Sequence, residues 1–88
     1  HRVTVFEKTG ELGGAILGCC VVPGKEKMKW YADWIRLQMQ KLGVEIRLNH
    51  APEIEELRGY DIILNATGAS SYLPDCVGND HPMVVPFQ

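Results

Sequence analysis

Several things are missing from this chain, and each absence removes a class of function. No Cys-x-x-Cys pair occurs; Cys19, Cys20 and Cys76 are odd in number and two of them are adjacent. That pattern implies neither a disulfide framework nor a thiolate metal site, so the three are read as reduced, structural thiols. No apolar run reaches membrane length, and neither an initiator Met nor a signal-peptide pattern is present. The expectation is a piece of a cytoplasmic protein. Neither sign of charge dominates: nine basic residues face eleven acidic ones, a net charge of −2. Such a balance argues against a general nucleic-acid or anionic-membrane binder. No nucleophile–base pair, carboxylate dyad or metal-ligand cluster stands out, and His1, His50 and His81 are scattered and read as polar surface residues.

What is present begins with Arg2-Val3-Thr4-Val5-Phe6-Glu7. Val3 and Val5 alternate with polar neighbours, Phe6 adds bulk, and the run predicts a short strand ending in a carboxylate. An acid in that position, at the carboxyl end of the second strand of a dinucleotide-binding fold, accepts hydrogen bonds from the ribose hydroxyls of adenosine. It normally stands about 20 residues after a G-x-G-x-x-G turn, and no such turn occurs in these 88 residues. The reading is therefore the middle of a nucleotide-binding domain without its first strand, phosphate turn and first helix.

Lys8 to Gly24 contains Gly10, Gly13, Gly14, Gly18, Pro23 and Gly24 and is expected to be irregular. Gly13-Gly14 either lets a ligand approach the backbone closely or simply makes the turn after the strand. A helix is predicted over about Lys25 to Leu42, its buried stripe being Met28, Tyr31, Ala32, Ile35, Met39 and Leu42, with Gly43 closing it. Trp30 and Trp34 form a flanking ridge suited to cover by a neighbouring domain. Val44, Ile46 and Leu48 alternate with Glu45 and Arg47 as a second strand, and Pro52 to Gly59 reads as a short helix. Tyr60-Asp61-Ile62-Ile63-Leu64-Asn65 reads as a strand buried on both faces. Ala66-Thr67-Gly68 follows, small enough to pass close to a phosphate or flavin. The predicted class is α/β: a partial Rossmann-like domain with a mainly parallel sheet of three strands. Residues 1–69 form the module and 70–88 a linker rich in Pro, Gly, Asp and Ser.

The ordered set Val3-Thr4-Val5-Phe6-Glu7, Leu12-Gly13-Gly14, Pro23-Gly24-Lys25-Glu26, Gly43-Val44, Leu48-Asn49-His50, Tyr60-Asp61, Ala66-Thr67-Gly68 and Gly78-x-Asp80-His81-Pro82-x-Val84 resembles the flavin-binding domain of one family. It is that of the bacterial 2,4-dienoyl-CoA reductases and NADH:flavin oxidoreductases, which includes trimethylamine dehydrogenase. The resemblance implies a parent enzyme with an FMN-bearing barrel, a 4Fe–4S cluster, an FAD (or ADP) module and a module for NAD(P)H. It implies that Glu7, with Lys8 beside it, binds the adenosine ribose, and that Gly13-Gly14 line the pyrophosphate or flavin path. Ala66-Thr67-Gly68 would pass beside the dinucleotide. Three positions depart from the family pattern. Ala15 stands where many relatives have Gln, and Pro52 has no N–H to offer the adenine edge, which leaves that role to Ala51. The Pro-Arg common after Ala-Thr-Gly is also absent. The alternatives are another two-dinucleotide flavoprotein, such as an amine oxidase-like or glutamate synthase-like subunit, and a non-catalytic packing domain. The remaining domains of the parent are the expected partners, and exposed sheet edges are expected to make the isolated chain self-associate.

Overall fold

The computed structural model describes residues 1–85. Five elements follow one another there: β1 (Thr4–Phe6), α1 (Ala15–Cys19), α2 (Lys27–Lys41), β2 (Glu45–Arg47) and α3 (Ile54–Leu57). β1 and β2 pair in parallel, with Thr4 opposite Glu45, Val5 opposite Ile46 and Phe6 opposite Arg47. Parallel neighbours need a crossover, which α1 and α2 supply. Further backbone bonds lengthen the ladder. Glu45 N donates to Val3 O, Glu7 N to Arg47 O and His50 N to Glu7 O, each at 3.0 Å.

The α2 sequence favours a helix through its three- and four-residue apolar spacing, with Lys29–Asp33 (3.2 Å) and Asp33–Arg36 (3.4 Å) ion pairs on the polar side. It ends where Gly43 adopts φ 71°, a left-handed turn that sends Val44 straight into β2. α3 begins with a capping box: the Glu53 side chain accepts from the Glu56 backbone and the Glu56 side chain from the Glu53 backbone.

The core lies between α1 and α2. Ala32 is the buried hydrophobic residue there, 5% exposed, with Ile16, Leu17, Ile35 and Met39 half-buried around it. The expected buried stripe of α2 therefore holds only in its middle, since Tyr31 is 56% and Leu42 77% exposed. Trp30 and Trp34 are exposed, and Trp34 stacks on Tyr31 with ring centroids 6.3 Å apart. The radius of gyration is 17.0 Å, against about 12 Å for a compact chain of this length. Apolar surface lies open because nothing among the described residues covers it.

Three expectations need correction. Lys8–Gly24 is not irregular throughout, because Ala15–Cys19 forms α1. Packing against α2 outweighs the local effect of Gly18. Tyr60–Asn65 forms no strand, and Ile62, Ile63 and Leu64 are 79%, 54% and 88% exposed. The parallel sheet accordingly has two strands rather than three. No strand lies beside this run among the described residues, so its backbone groups have no ladder to join. The thiols also divide: Cys19 and Cys20 are half-buried in α1 and just after it, whereas Cys76 is exposed and packs against little. No helix among the described residues is long and apolar enough to cross a membrane.

Candidate functional site

The carboxyl ends of β1 and β2 meet at one corner, the part of an open parallel sheet where ligands bind. Glu7 stands there, its N–H and C=O held by Arg47 and His50 of the neighbouring chain segment. Its Oε1 accepts from the Thr9 backbone N–H (2.9 Å) and the Thr9 hydroxyl (3.1 Å). The Thr9 N–H, then its hydroxyl, hold the Glu7 carboxyl below the usual carboxylate range, helped by the charge of Lys8. Glu7 is thus an anion at neutral pH with one oxygen fixed and Oε2 free of hydrogen-bond partners among the described residues. The Thr9 hydroxyl also lies 2.9 Å from Glu11 O; its single proton serves one acceptor at a time.

The loop beyond Glu7 is tied down on two sides. Asn49 N donates to Thr9 O at 2.8 Å, and Asn49 itself takes φ 54°, a left-handed conformation that Asn tolerates well. From α2, Arg36 reaches back to Glu11 and to the Leu12 carbonyl. Below the corner, Phe6 packs against the His50 ring (centroids 5.5 Å apart) and edge-on against Tyr60 (6.0 Å). Arg47 lies 5.3 Å above the Phe6 ring. His50 Nε2 is 2.7 Å from Glu56 Oε2, so His50 is a half-buried strut between the sheet and α3 rather than a loose surface residue. The Glu56 carboxyl is held low, first by the Glu53 backbone N–H and then by His50.

Gly13 (φ 130°) and Gly14 (φ 51°) carry the chain from this loop into α1. They differ in surroundings. A Cβ on Gly13 would lie 2.8 Å from Leu17 Cγ, whereas one on Gly14 would meet nothing within 4 Å. Neither N–H is donated to a partner among the described residues. Two open clefts flank the loop. One, of about 270 Å³, lies between α1 and α2 and is lined by Gly13, Ile16, Ala32 and Ile35. The other, of about 370 Å³, runs between Gly10–Leu12 and Ile46–Leu48.

The residues singled out from sequence are placed unevenly. Glu7, Lys8, Gly13 and Gly14 share the loop after β1, with Lys8 exposed. Ala51, also exposed, follows His50 in the loop after β2. Ala66, Thr67 and Gly68 lie in an exposed segment without regular structure, and no hydrogen bond joins them to Glu7 or Gly13-Gly14. Thr67 N and Oγ1 turn instead to Asn65 Oδ1, at 3.2 and 3.0 Å. Sequence reasoning missed Thr9, Arg36 and Asn49. Thr9 carries a weak signal, a hydroxyl two residues after an acid, but a lone Arg on the polar side of a helix carries none. No group of three or more metal-ligating side chains occurs among the described residues. The corner can accept and donate hydrogen bonds to a ligand.

No family model and no solved structure matches the chain. Its likeness is to short segments of oxidoreductases. Over 90 residues it is 31% identical to an NADH oxidase of Thermoanaerobacter brockii, covering 100% of this chain and 14% of that protein. Over 72 residues it is 40% identical to a cinnamate reductase of Clostridium sporogenes, covering 80% of this chain and 11% of the relative. A multifunctional alkene reductase/demethylase OYE of Caballeronia cordobensis is 29% identical over 83 residues, 92% of this chain and 12% of its own length. The chain therefore spans about one seventh or less of these relatives, and the kinship supports an oxidoreductase family.

Proposed function

We propose that residues 1–69 belong to an FAD-binding (or ADP-binding) Rossmann-like module of a flavin-dependent NAD(P)H oxidoreductase of the 2,4-dienoyl-CoA reductase and NADH:flavin oxidoreductase type. Residues 70–88 then lead toward the nicotinamide-binding module; of these, 86–88 lie outside the described residues. The observation that carries the reading is the ionised Glu7 carboxylate at the carboxyl end of β1, in the same loop as the Gly13 and Gly14 N–H groups, which are donated to no partner among the described residues. The residues present fit the adenosine half of such a cofactor. Glu7 Oε2 is available to accept from a ribose hydroxyl, and the open side of Gly14 leaves room for a phosphate oxygen against the backbone. When bound, the flavin ring supplies the redox chemistry. The chain's own task is to hold the adenosine, to orient it through the Thr9-braced carboxylate and to keep Lys8 near the same edge.

In this reading β1 and β2 are the second and third strands of the sheet. Their outer edges await strands from the rest of the enzyme, whose FMN barrel, 4Fe–4S cluster and NAD(P)H module would complete the electron path. Taken alone, residues 1–88 are expected to bind FAD only weakly and to associate through those edges, with light scattering as the check.

The test is calorimetric titration of ADP into the protein that carries this chain. Replacing Glu7 by Gln removes a charge-assisted hydrogen bond and is expected to weaken binding about tenfold or more. Unchanged affinity would sink the assignment. A second reading, a packing module that keeps the fold without the nucleotide, is favoured by one observation, the lack of an N–H at Pro52. Absence of any ADP binding by the wild-type protein would select it.

A further inference from the structure

We propose that Arg36 is a positioning residue for the loop after β1, aiming the Gly13 N–H toward the ligand side; this rests on the nucleotide reading of the corner. Arg36 stands on α2, 24 residues from the carbonyl it binds. Its Nε lies 3.1 Å from Leu12 O, and Nη2 bonds the same oxygen while also lying 2.9 Å from Glu11 Oε1. Nη1 reaches Asp33 Oδ1, one turn earlier on the helix, at 3.4 Å. The side chain is 27% exposed, less than Glu11 or Asp33, its ion-pair partners. The guanidinium holds several donors in a rigid plane, so a carbonyl and two carboxylates are met at once and the rotamer is fixed.

The consequence follows from peptide geometry. Leu12 C=O and Gly13 N–H belong to one planar trans peptide and point in opposite directions. Anchoring the oxygen onto α2 therefore turns the Gly13 N–H away from α2. Gly13 and Gly14 have the backbone freedom to let that peptide rotate, and Arg36 removes the freedom. Arg36 also neutralises Glu11, the loop carboxylate that would otherwise repel an anionic ligand. A Lys here would restore the charge near Glu11 but could not reproduce the forked grip on Leu12 O.

The experiment compares wild type, Arg36→Met, Arg36→Lys and Glu7→Gln in the protein that carries this chain. ADP titration is the main measurement, with cleavage after Glu11 by a Glu-specific protease as a ligand-free readout. Arg36→Met is expected to weaken ADP binding about tenfold and to speed cleavage after Glu11 relative to cleavage after Glu55. Arg36→Lys should recover less than half of the lost affinity on a logarithmic scale. Full recovery by Lys, or an Arg36→Met affinity within about twofold of wild type, overturns the proposal. If Arg36→Met does not fold, the Lys variant decides on the same criterion. A Glu7→Gln loss without an Arg36→Met loss defeats this inference alone; no ADP binding by wild type defeats the nucleotide reading beneath it.

Discussion

Residues 1–60 hold all five elements found among the described residues, and residues 61–85 hold none. Composition does not explain the difference. Ile62-Ile63-Leu64 is more apolar than Thr4-Val5-Phe6 or Glu45-Ile46-Arg47, yet the latter pair forms the sheet. β1 and β2 succeed because a crossover brings them together in register and because Phe6, His50 and Tyr60 pack beneath the join. The later run has the right residues and no neighbour. Strand propensity describes a fit to a partly buried, hydrogen-bonded surface, and without that surface the run stays exposed and without regular structure.

The comparison can be broken most forcefully by supplying the neighbour. In residues 1–88 alone, the amides of Ile62, Ile63 and Leu64 should exchange with solvent without protection. In the longer protein proposed above they should slow by about a thousandfold or more. Hydrogen exchange that fails to differ between the two would refute the missing-neighbour explanation. Within the ordered region, Ala32→Asp places an unpaired carboxylate at the buried α1–α2 contact. It should destabilise that contact by about 3 kcal/mol or more, read as helix loss by circular dichroism.

A finer contrast lies inside the glycine pair. Gly13→Ala combines a positive φ with a clash against Leu17 and should cost about 2–3 kcal/mol, whereas Gly14→Ala, with open space around it, should cost about 1 kcal/mol. Equal melting temperatures for the two variants would contradict the packing described for Gly13.

The smallest effect concerns acid. Folding holds Glu7 and Glu56 below their ordinary range. The stability they contribute is complete above that range and is lost as pH falls through the lowered values. Thr9→Val removes the hydroxyl and leaves the backbone N–H, which is the larger cause. The Glu7 titration midpoint should move part of the way back up toward the ordinary carboxylate range, followed by carboxyl-carbon NMR shifts. A midpoint that stays where it was would show that the hydroxyl donates to Glu11 O instead.

Much of the ordered region was legible in advance. β1, α2, β2 and α3 fall within the predicted stretches, because alternation, three- and four-residue spacing and glycine or proline boundaries are local signals. The place of Glu7 at the end of a strand was legible for the same reason. α1 was hidden by Gly18 within it and by Gly13-Gly14 before it, and Arg36 was invisible because its partners lie 24 and 25 residues away. The stripe of α2 was predicted longer than it is, since periodicity reports which residues prefer burial and not how far the covering surface extends.

By itself the order of residues determined the short elements, the acid at the strand end and the positions where glycine must bend the chain, all properties of neighbours along the backbone. The tertiary arrangement alone decided which strands pair, that Asn49 ties down Thr9 and that Arg36 anchors Leu12. It also left Ile62–Leu64 uncovered. Those outcomes depend on distances between segments remote in sequence, where geometry rather than residue type selects the partner.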